Sequence, residues 1–306
     1  MLNKKLHRAF GLAALALIAN VVRAQEGEGD VVYVPTPQVV VESMLAMGKV
    51  GPTDFIIDLG SGDGRIVITA AKKFGARGFG VDLDEVLLKR ANAAAEAEGV
   101  ANRARFVKQD LFETDLSKAT VITSYLLPEM NEELRPKLLR LKPGTRVVAH
   151  DYDMGGWQPD ENDILAVPEK TVGRPGFSYI YMWYVPADAS GKWQIRASAG
   201  GQPLAVDLDF RQHFQMLHGT ARINARSAQI QNARVRGEDV TFSLTTGTGA
   251  AAVRHEFAGR IQGDAISGTL HLRAGNKVEQ TVFTAKRIAP GRIEIGASWV
   301  SPALVV

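Results

Sequence analysis

Asp58-Leu59-Gly60-Ser61-Gly62-Asp63-Gly64-Arg65 follows the apolar run Phe55-Ile56-Ile57 and leads into Ile66-Val67-Ile68 and a helical pattern that reaches Phe74. Strand, glycine-rich turn and helix, in that order, form the context in which a loop holds a nucleotide-like ligand. The glycines permit tight turns with positive φ and let a ligand lie against the backbone. The start of the following helix directs free N–H groups to the same place.

The spacing of the glycines separates two kinds of ligand. A dinucleotide fingerprint reads G-x-G-x-x-G and seats a pyrophosphate on the helix N-terminus. This loop reads G-x-G-x-G, with Asp58 two residues before Gly60. A carboxylate there repels a pyrophosphate and suits a cationic ligand end. S-adenosylmethionine (SAM) has one, its ammonium group. Asp82 closes the next apolar segment, Gly78-Phe79-Gly80-Val81-Asp82, where a carboxylate can accept both hydroxyls of a ribose.

Outward from this centre the chain alternates between strand and helix. Upstream, Tyr33-Val34-Pro35-Thr36-Pro37 precedes Val40, Met44 and Met47 at helical spacing, with Thr36 placed to cap the helix and Tyr33 to cover a ligand in the loop. Downstream, Asp84 caps a helix that runs to Gly99. Strands follow at Arg105–Val107, Thr120–Tyr125 and Arg146–Ala149, and Pro128–Leu141 reads as a helix restarted at Pro136. A sixth strand is expected near Thr171-Val172 and a seventh over Tyr179–Val185, where FSYIYMWYV lacks polar alternation and reads as fully buried. This order predicts an α/β, Rossmann-like fold with a seven-stranded sheet.

After Pro186-Ala187-Asp188 the composition shifts to short alternating segments, among them Leu204–Phe210, Val240–Leu244 and Ile266–Leu272, with Gly-Glu, Gly-Asp and Gly-Asn turns. They predict a small antiparallel β domain, barrel- or meander-like. The expected divisions are 1–24, 25–187, 188–290 and a tail over 291–306.

DLGSGDGR resembles the first motif of the class I SAM-dependent methyltransferases. With the Tyr33-to-Pro37 lead-in and Leu126-Leu127-Pro128-Glu129-Met130, it resembles the group that contains Dot1-like and ATP-synthase c-subunit lysine methyltransferases. The resemblance covers residues 31–186. It implies a SAM site built from Tyr33, Asp58, Gly60, Ser61, Gly62, Gly64 and Asp82. It also places Asp110 after the third strand, against the adenine amino group, with Leu111 or Phe112 on the adenine face. Open α/β sheets bind ligands at the carboxyl ends of their strands, so the methyl acceptor belongs beside Tyr125 and Glu129. These two residues are the candidates to orient an acceptor amine or take its proton. A protein lysine is the acceptor class the resemblance suggests. The exported β-domain architecture departs from that group, so an exported binding protein with a catalytically silent methyltransferase fold is the alternative.

Composition narrows the rest. The 306 residues contain no cysteine, which excludes disulfides, thiolate metal sites and cysteine catalysis. His150-Asp151-Tyr152-Asp153 is a polar cluster that could line the acceptor pocket, without the spaced ligands of a metal site. Lys4, Lys5 and Arg8, the apolar stretch Phe10–Val22 and Val22-Arg23-Ala24 read as a signal peptide over residues 1–24, cleaved before Gln25, and predict export to the periplasm or the extracellular space. Without cleavage it would serve as a membrane anchor; the mature form has no expected integral span. Four of the 36 basic residues and none of the 33 acidic ones lie in 1–24. That leaves 32 against 33, a net of −1, and removes the support for nucleic acid as a general partner.

Overall fold

The computed structural model describes residues 33–223 and 226–296. The segments 1–24 and 297–306 lie outside the described residues. The first sheet contains β1 (Phe55–Leu59), β2 (Arg77–Asp82), β3 (Ala104–Lys108), β4 (Val121–Ser124), β5 (Arg146–His150), β6 (Glu161–Val167) and β7 (Gly176–Tyr184). Their spatial order is β3-β2-β1-β4-β5-β7-β6, with only β7 reversed. This is the strand order of a class I methyltransferase sheet. The chain reverses at β1, between β2 and β4, and that switch point opens a crevice at the carboxyl ends of the strands.

Four helices cover the sheet: α1 (Gln38–Met47), α2 (Arg65–Lys73), α3 (Glu85–Ala97) and α4 (Pro128–Leu138). α1 packs Val40, Val41, Met44 and Leu45 against Ile56, Val148, Ile180 and Met182 on one face. Leu134 and Leu138 of α4 meet Ile57, Ile122, Val147 and Trp183 on the other. Asp84 caps α3 by accepting from the N–H groups of Val86 and Leu87.

Three local expectations change. α1 has no side-chain cap, because the Thr36 hydroxyl is used 114 residues away on the His150 ring. α4 runs unbroken through Pro136 to Leu138. Pro136 lies nine residues into the helix, where the ring replaces a backbone donor without ending it. The sixth strand is Glu161–Val167 rather than the neighbourhood of Val172, which lies in the turn between β6 and β7. As the edge of the sheet, β6 keeps Asn162, Asp163 and Ile164 exposed, so its sequence lacks the signature of a buried strand. β7 is buried along one face, where Ser178, Ile180 and Met182 point into the α1 side; on the other Trp183 is buried against α4, while Phe177, Tyr179 and Tyr181 remain at least partly exposed.

The second sheet closes on itself. Its strands are β8 (Gly191–Ala199), β9 (Gln202–His213), β10 (Met216–Ile223), β11 (Arg226–Gln229), β12 (Gln231–Arg236), β13 (Asp239–Thr246), β14 (Val253–Gln262), β15 (Ala265–Ala274), β16 (Lys277–Pro290) and β17 (Ile293–Glu294). Antiparallel neighbours run from β8 to β10, continue through β12 to β16, and return when β16 pairs with β8. The result is an eight-stranded barrel, with β11 and β17 added outside the circuit on β10 and β9. Eight strands leave an interior that side chains can fill. Phe210, Phe242, Phe257 and Phe283 fill it in an alternating edge-on and stacked column, with ring centroids 5.3, 4.5 and 5.2 Å apart.

Barrel and sheet share a seam. Phe214 stacks on Trp157 at 6.1 Å, and the Arg135 guanidinium lies 5.8 Å from the Phe214 ring centre. The Gln215 amide donates to the Gln158 carbonyl. Arg234 pairs with the buried Asp160, and Arg236 pairs with Glu161 while lying over the Tyr184 ring. No described helix is long and apolar enough to cross a membrane.

Candidate functional site

A cavity opens at the carboxyl ends of β1, β2 and β4. Its walls include Tyr33, Asp58, Gly60, Ser61, Asp82, Asp110, Leu111 and Tyr125. The structure thus brings together eight of the eleven residues singled out from the sequence. Gly62 and Gly64 stand behind the wall and shape it. Glu129 is exposed on the first turn of α4, and Met130, one position later, faces the cavity in its place.

The loop after β1 is shaped from within. Gly60, Gly62 and Gly64 have φ of 73°, 53° and 80°, which a side chain adopts only at a cost. A Cβ on Gly62 would collide with the Tyr33 ring, and one on Gly64 would lie 2.7 Å from Phe106 Cε1 and 2.8 Å from Ala91 Cβ. The loop N–H groups are already used: those of Gly60 and Ser61 donate to the Val81 carbonyl and that of Gly62 donates to Asp82 Oδ2 at 2.8 Å. Arg65 N–H donates to Asp63. The expected supply of free donors for an anion is therefore largely spent inside the loop, and the site turns carboxylates rather than N–H groups toward its ligand.

Asp58 is the main such group. It is 2% exposed and accepts a 2.6 Å hydrogen bond from the Thr123 hydroxyl. Burial pushes its carboxyl up to about 7, only partly offset by Thr123, and the nearby Asp82 and Asp63 add to the rise. A cation placed beside Asp58 would relieve all three effects. Asp82 holds the end of β2 by accepting from the N–H groups of Gly62 and Asp84, one on each oxygen, and each oxygen keeps a further lone pair for a hydroxyl donor. Asp110 is exposed at the rim and accepts from the Phe112 N–H, with Leu111 and Phe112 beside it in the wall. Ser61 Oγ is buried without a partner. Carboxylates at one end, a second carboxylate beside glycine backbone, apolar walls beyond and an unsatisfied hydroxyl fit SAM: ammonium at Asp58, ribose at Asp82, adenine between Leu111 and Phe112.

Tyr125 closes the opposite end. Its ring lies 4.0 Å from that of His150 and 6.3 Å from that of Tyr152. Its hydroxyl donates to Asp151 Oδ2 at 3.0 Å. Burial, with Asp151 adding to it, pushes the Tyr125 phenol well above its ordinary range, so it stays protonated and cannot take a proton from an acceptor. Of the two roles expected for Tyr125, orientation is the one its surroundings support. His150 is fully buried between the hydroxyls of Thr36 and Ser178, and burial lowers it to about 4, so the ring is neutral. Among the described residues no group of His, Asp and Glu could hold a metal ion.

Lys170 carries no sign in the sequence of belonging to this site. It lies 19 residues from Asp151 and pairs with it in the interior. A buried lysine has no local signature; only the β6–β7 turn brings it here.

Residues 58–161 match the family described as the ANTKMT methyltransferase domain. A protein-lysine N-methyltransferase of Saccharolobus islandicus is 45% identical over 150 residues, covering 48% of this chain and 92% of the relative. An ATP-synthase c-subunit lysine N-methyltransferase of Xenopus laevis is 35% identical over 129 residues, 42% of this chain and 56% of that protein. Among solved structures, an RNA methyltransferase of Salinibacter ruber with S-adenosyl-L-homocysteine is 48% identical, with a TM-score of 0.46, over 51% of this chain and 95% of that one.

Proposed function

Because the chain belongs to the family of the Saccharolobus islandicus protein-lysine N-methyltransferase, and is therefore a SAM-dependent methyltransferase, we propose that its acceptor is the side-chain amine of a protein lysine. SAM would supply a methyl carbon to an uncharged amine, the C–S bonding pair returning to sulfur as S-adenosylhomocysteine leaves, and the methylated ammonium would then release one proton to solvent. The protein's part is alignment. Asp58, Asp82 and the Asp110 segment hold the donor, and Tyr125 orients what arrives at the far end.

The observation that carries the reading is the hydrogen bond from the Tyr125 hydroxyl to Asp151 at the edge of the cavity. The phenol proton is committed to Asp151, so the phenol oxygen offers a lone pair that accepts an N–H. Such a bond turns the lone pair of an amine toward the methyl donor. No base is needed, because an amine that arrives neutral already has its nucleophilic pair. The near-neutral charge of residues 25–306 also favours a protein over a polyanion.

Incubating the protein with radiolabelled SAM and three acceptor pools, poly-L-lysine, bacterial protein and total RNA, tests the proposal. Label on poly-L-lysine and protein supports it; label on RNA alone would sink it.

Export completes the proposal. The basic and apolar pattern of residues 1–24 supports secretion to the periplasm or beyond, where SAM must be supplied from the cytosol. N-terminal sequencing of protein from a periplasmic fraction should begin at Gln25; cytosolic protein starting at Met1 would refute export.

A further inference from the structure

Behind Tyr125 lies an arrangement that binding of SAM does not require. Asp151 directly follows β5 with φ of 63°, a left-handed conformation that a non-glycine residue adopts only at a cost. Four contacts hold it there. Its N–H donates to the Tyr179 carbonyl at 2.7 Å, its Oδ1 accepts from the Tyr179 N–H at 3.2 Å, and its Oδ2 accepts from both the Lys170 ammonium and the Tyr125 hydroxyl. Lys170 also donates to the Phe177 carbonyl at 2.8 Å. Asp151 is fully buried and Lys170 nearly so. Burying two ions usually costs as much as their attraction returns, so stability alone is a poor reason for the pair. Left-handed aspartate and buried ion pair both converge on one oxygen, and that oxygen fixes Tyr125.

The neighbouring turn is fitted to the same point. Gly173 has φ of 76°, and a Cβ there would stand 2.7 Å from Asp151 Oδ2 and 2.8 Å from the Tyr125 hydroxyl. The chain therefore passes close over the hydrogen bond, at a point where a side chain on residue 173 would press on both partners.

We infer that Asp151 and Lys170 are positioning residues for methyl transfer, acting through Tyr125: they fix the phenol proton away from the cavity, so that its oxygen can only accept from the incoming acceptor. The ammonium of Lys170 balances the charge of Asp151, which lets the carboxylate sit beside an uncharged phenol and a neutral His150 ring. The inference rests on the amine-acceptor reading for its direction, acceptance by Tyr125 of an N–H.

A double-mutant cycle tests it on the full chain, with SAM and poly-L-lysine as probes. Asp151→Asn should lower kcat about 10–100-fold, the scale set by small misplacements of a reacting group, with SAM affinity by calorimetry within about twofold. In a Tyr125→Phe background the same change should alter kcat less than about twofold, since the group it positions is gone. An equally large effect in both backgrounds would overturn the inference. Gly173→Ala gives a second route on an exposed turn, should Asp151→Asn fold poorly: it should lower kcat and leave SAM affinity unchanged, and an unchanged kcat counts against the inference. The 13Cζ resonance of Tyr125, identified by its loss in Tyr125→Phe, should move in Asp151→Asn; if it stays, Asp151 does not hold the phenol. If it moves while poly-L-lysine remains unmethylated by the unsubstituted chain, the amine reading fails and the link from Asp151 to Tyr125 stands.

Discussion

The two halves of this molecule bury different things. The parallel sheet places Asp58, Thr123, His150, Asp151 and Lys170 in its interior, each with a polar partner, and opens a cavity among them. The barrel fills most of its interior with hydrocarbon; polar side chains it buries, such as Gln212 and His255, bond backbone groups or the Thr246 hydroxyl, and ion pairs such as Arg273 with Glu256 and Arg260 with Glu238 lie on the outside. Buried polar groups cost free energy unless they are satisfied, so they persist where they serve a ligand or a reaction. The difference assigns chemistry to one half and shape to the other.

The largest effect that could break this division is in the barrel. Phe257 stacks on Phe242 and meets Phe283 edge-on, and Phe257→Ala should cost about 3–5 kcal/mol of stability. Guanidinium unfolding followed by the fluorescence of the buried Trp193 would read it. SAM affinity of the folded variant should be unchanged; a parallel loss of affinity would show that the barrel shapes the cavity. In the other half, Asp58→Ala should weaken SAM binding by about 2–5 kcal/mol, the usual cost of removing one partner of a desolvated charge pair, with little loss of fold. Calorimetry with unchanged affinity would mean that the ammonium lies elsewhere.

Asp58 also gives the pH dependence a sign. Its carboxyl titrates at about 7 in the folded protein, far above the unfolded value of about 3.9. Ionised Asp58 therefore costs the ligand-free protein stability as pH rises from about 4 to 7. SAM, by contrast, favours the ionised form. Its Kd should weaken about tenfold from pH 8 to pH 6, and binding near neutrality should release a proton, visible as a buffer-dependent binding enthalpy. A flat Kd over that range would remove Asp58 from contact with a cation. The smallest effect is at the seam. Arg236→Ala removes an ion pair with Glu161 that is open to solvent, and should change stability by less than about 1 kcal/mol. A larger shift in thermal denaturation would mean that the two halves stabilise each other through that pair.

What the sequence revealed followed the range of the interactions. The glycine loop, Asp82 and Asp84 act within a few residues of one strand–turn–helix unit, so their types and spacing were enough to read them. The pairing of Lys170 with Asp151 depends on a strand, a turn and a second strand returning to the first, and neither residue looks unusual alone. Thr36 illustrates the same limit, since a residue suited to cap α1 bonds His150 instead. β6 escaped because its first half, Asn162, Asp163 and Ile164, is exposed whichever way the side chains point, so the strand carries no alternation. Closure of the barrel rests on β16 meeting β8, strands separated by most of the domain, and alternation within a strand says nothing about its most distant neighbour.

That closure has a consequence for how the chain is assembled. Gly191, at the start of β8, pairs with Pro290, at the end of β16. The polypeptide therefore enters and leaves the barrel about one strand spacing apart, roughly 5 Å. Topologically the barrel hangs on the single crossing that precedes β8: the exposed turn between β15 and β16, away from the seam, can be lengthened or shortened while that crossing stays where it is.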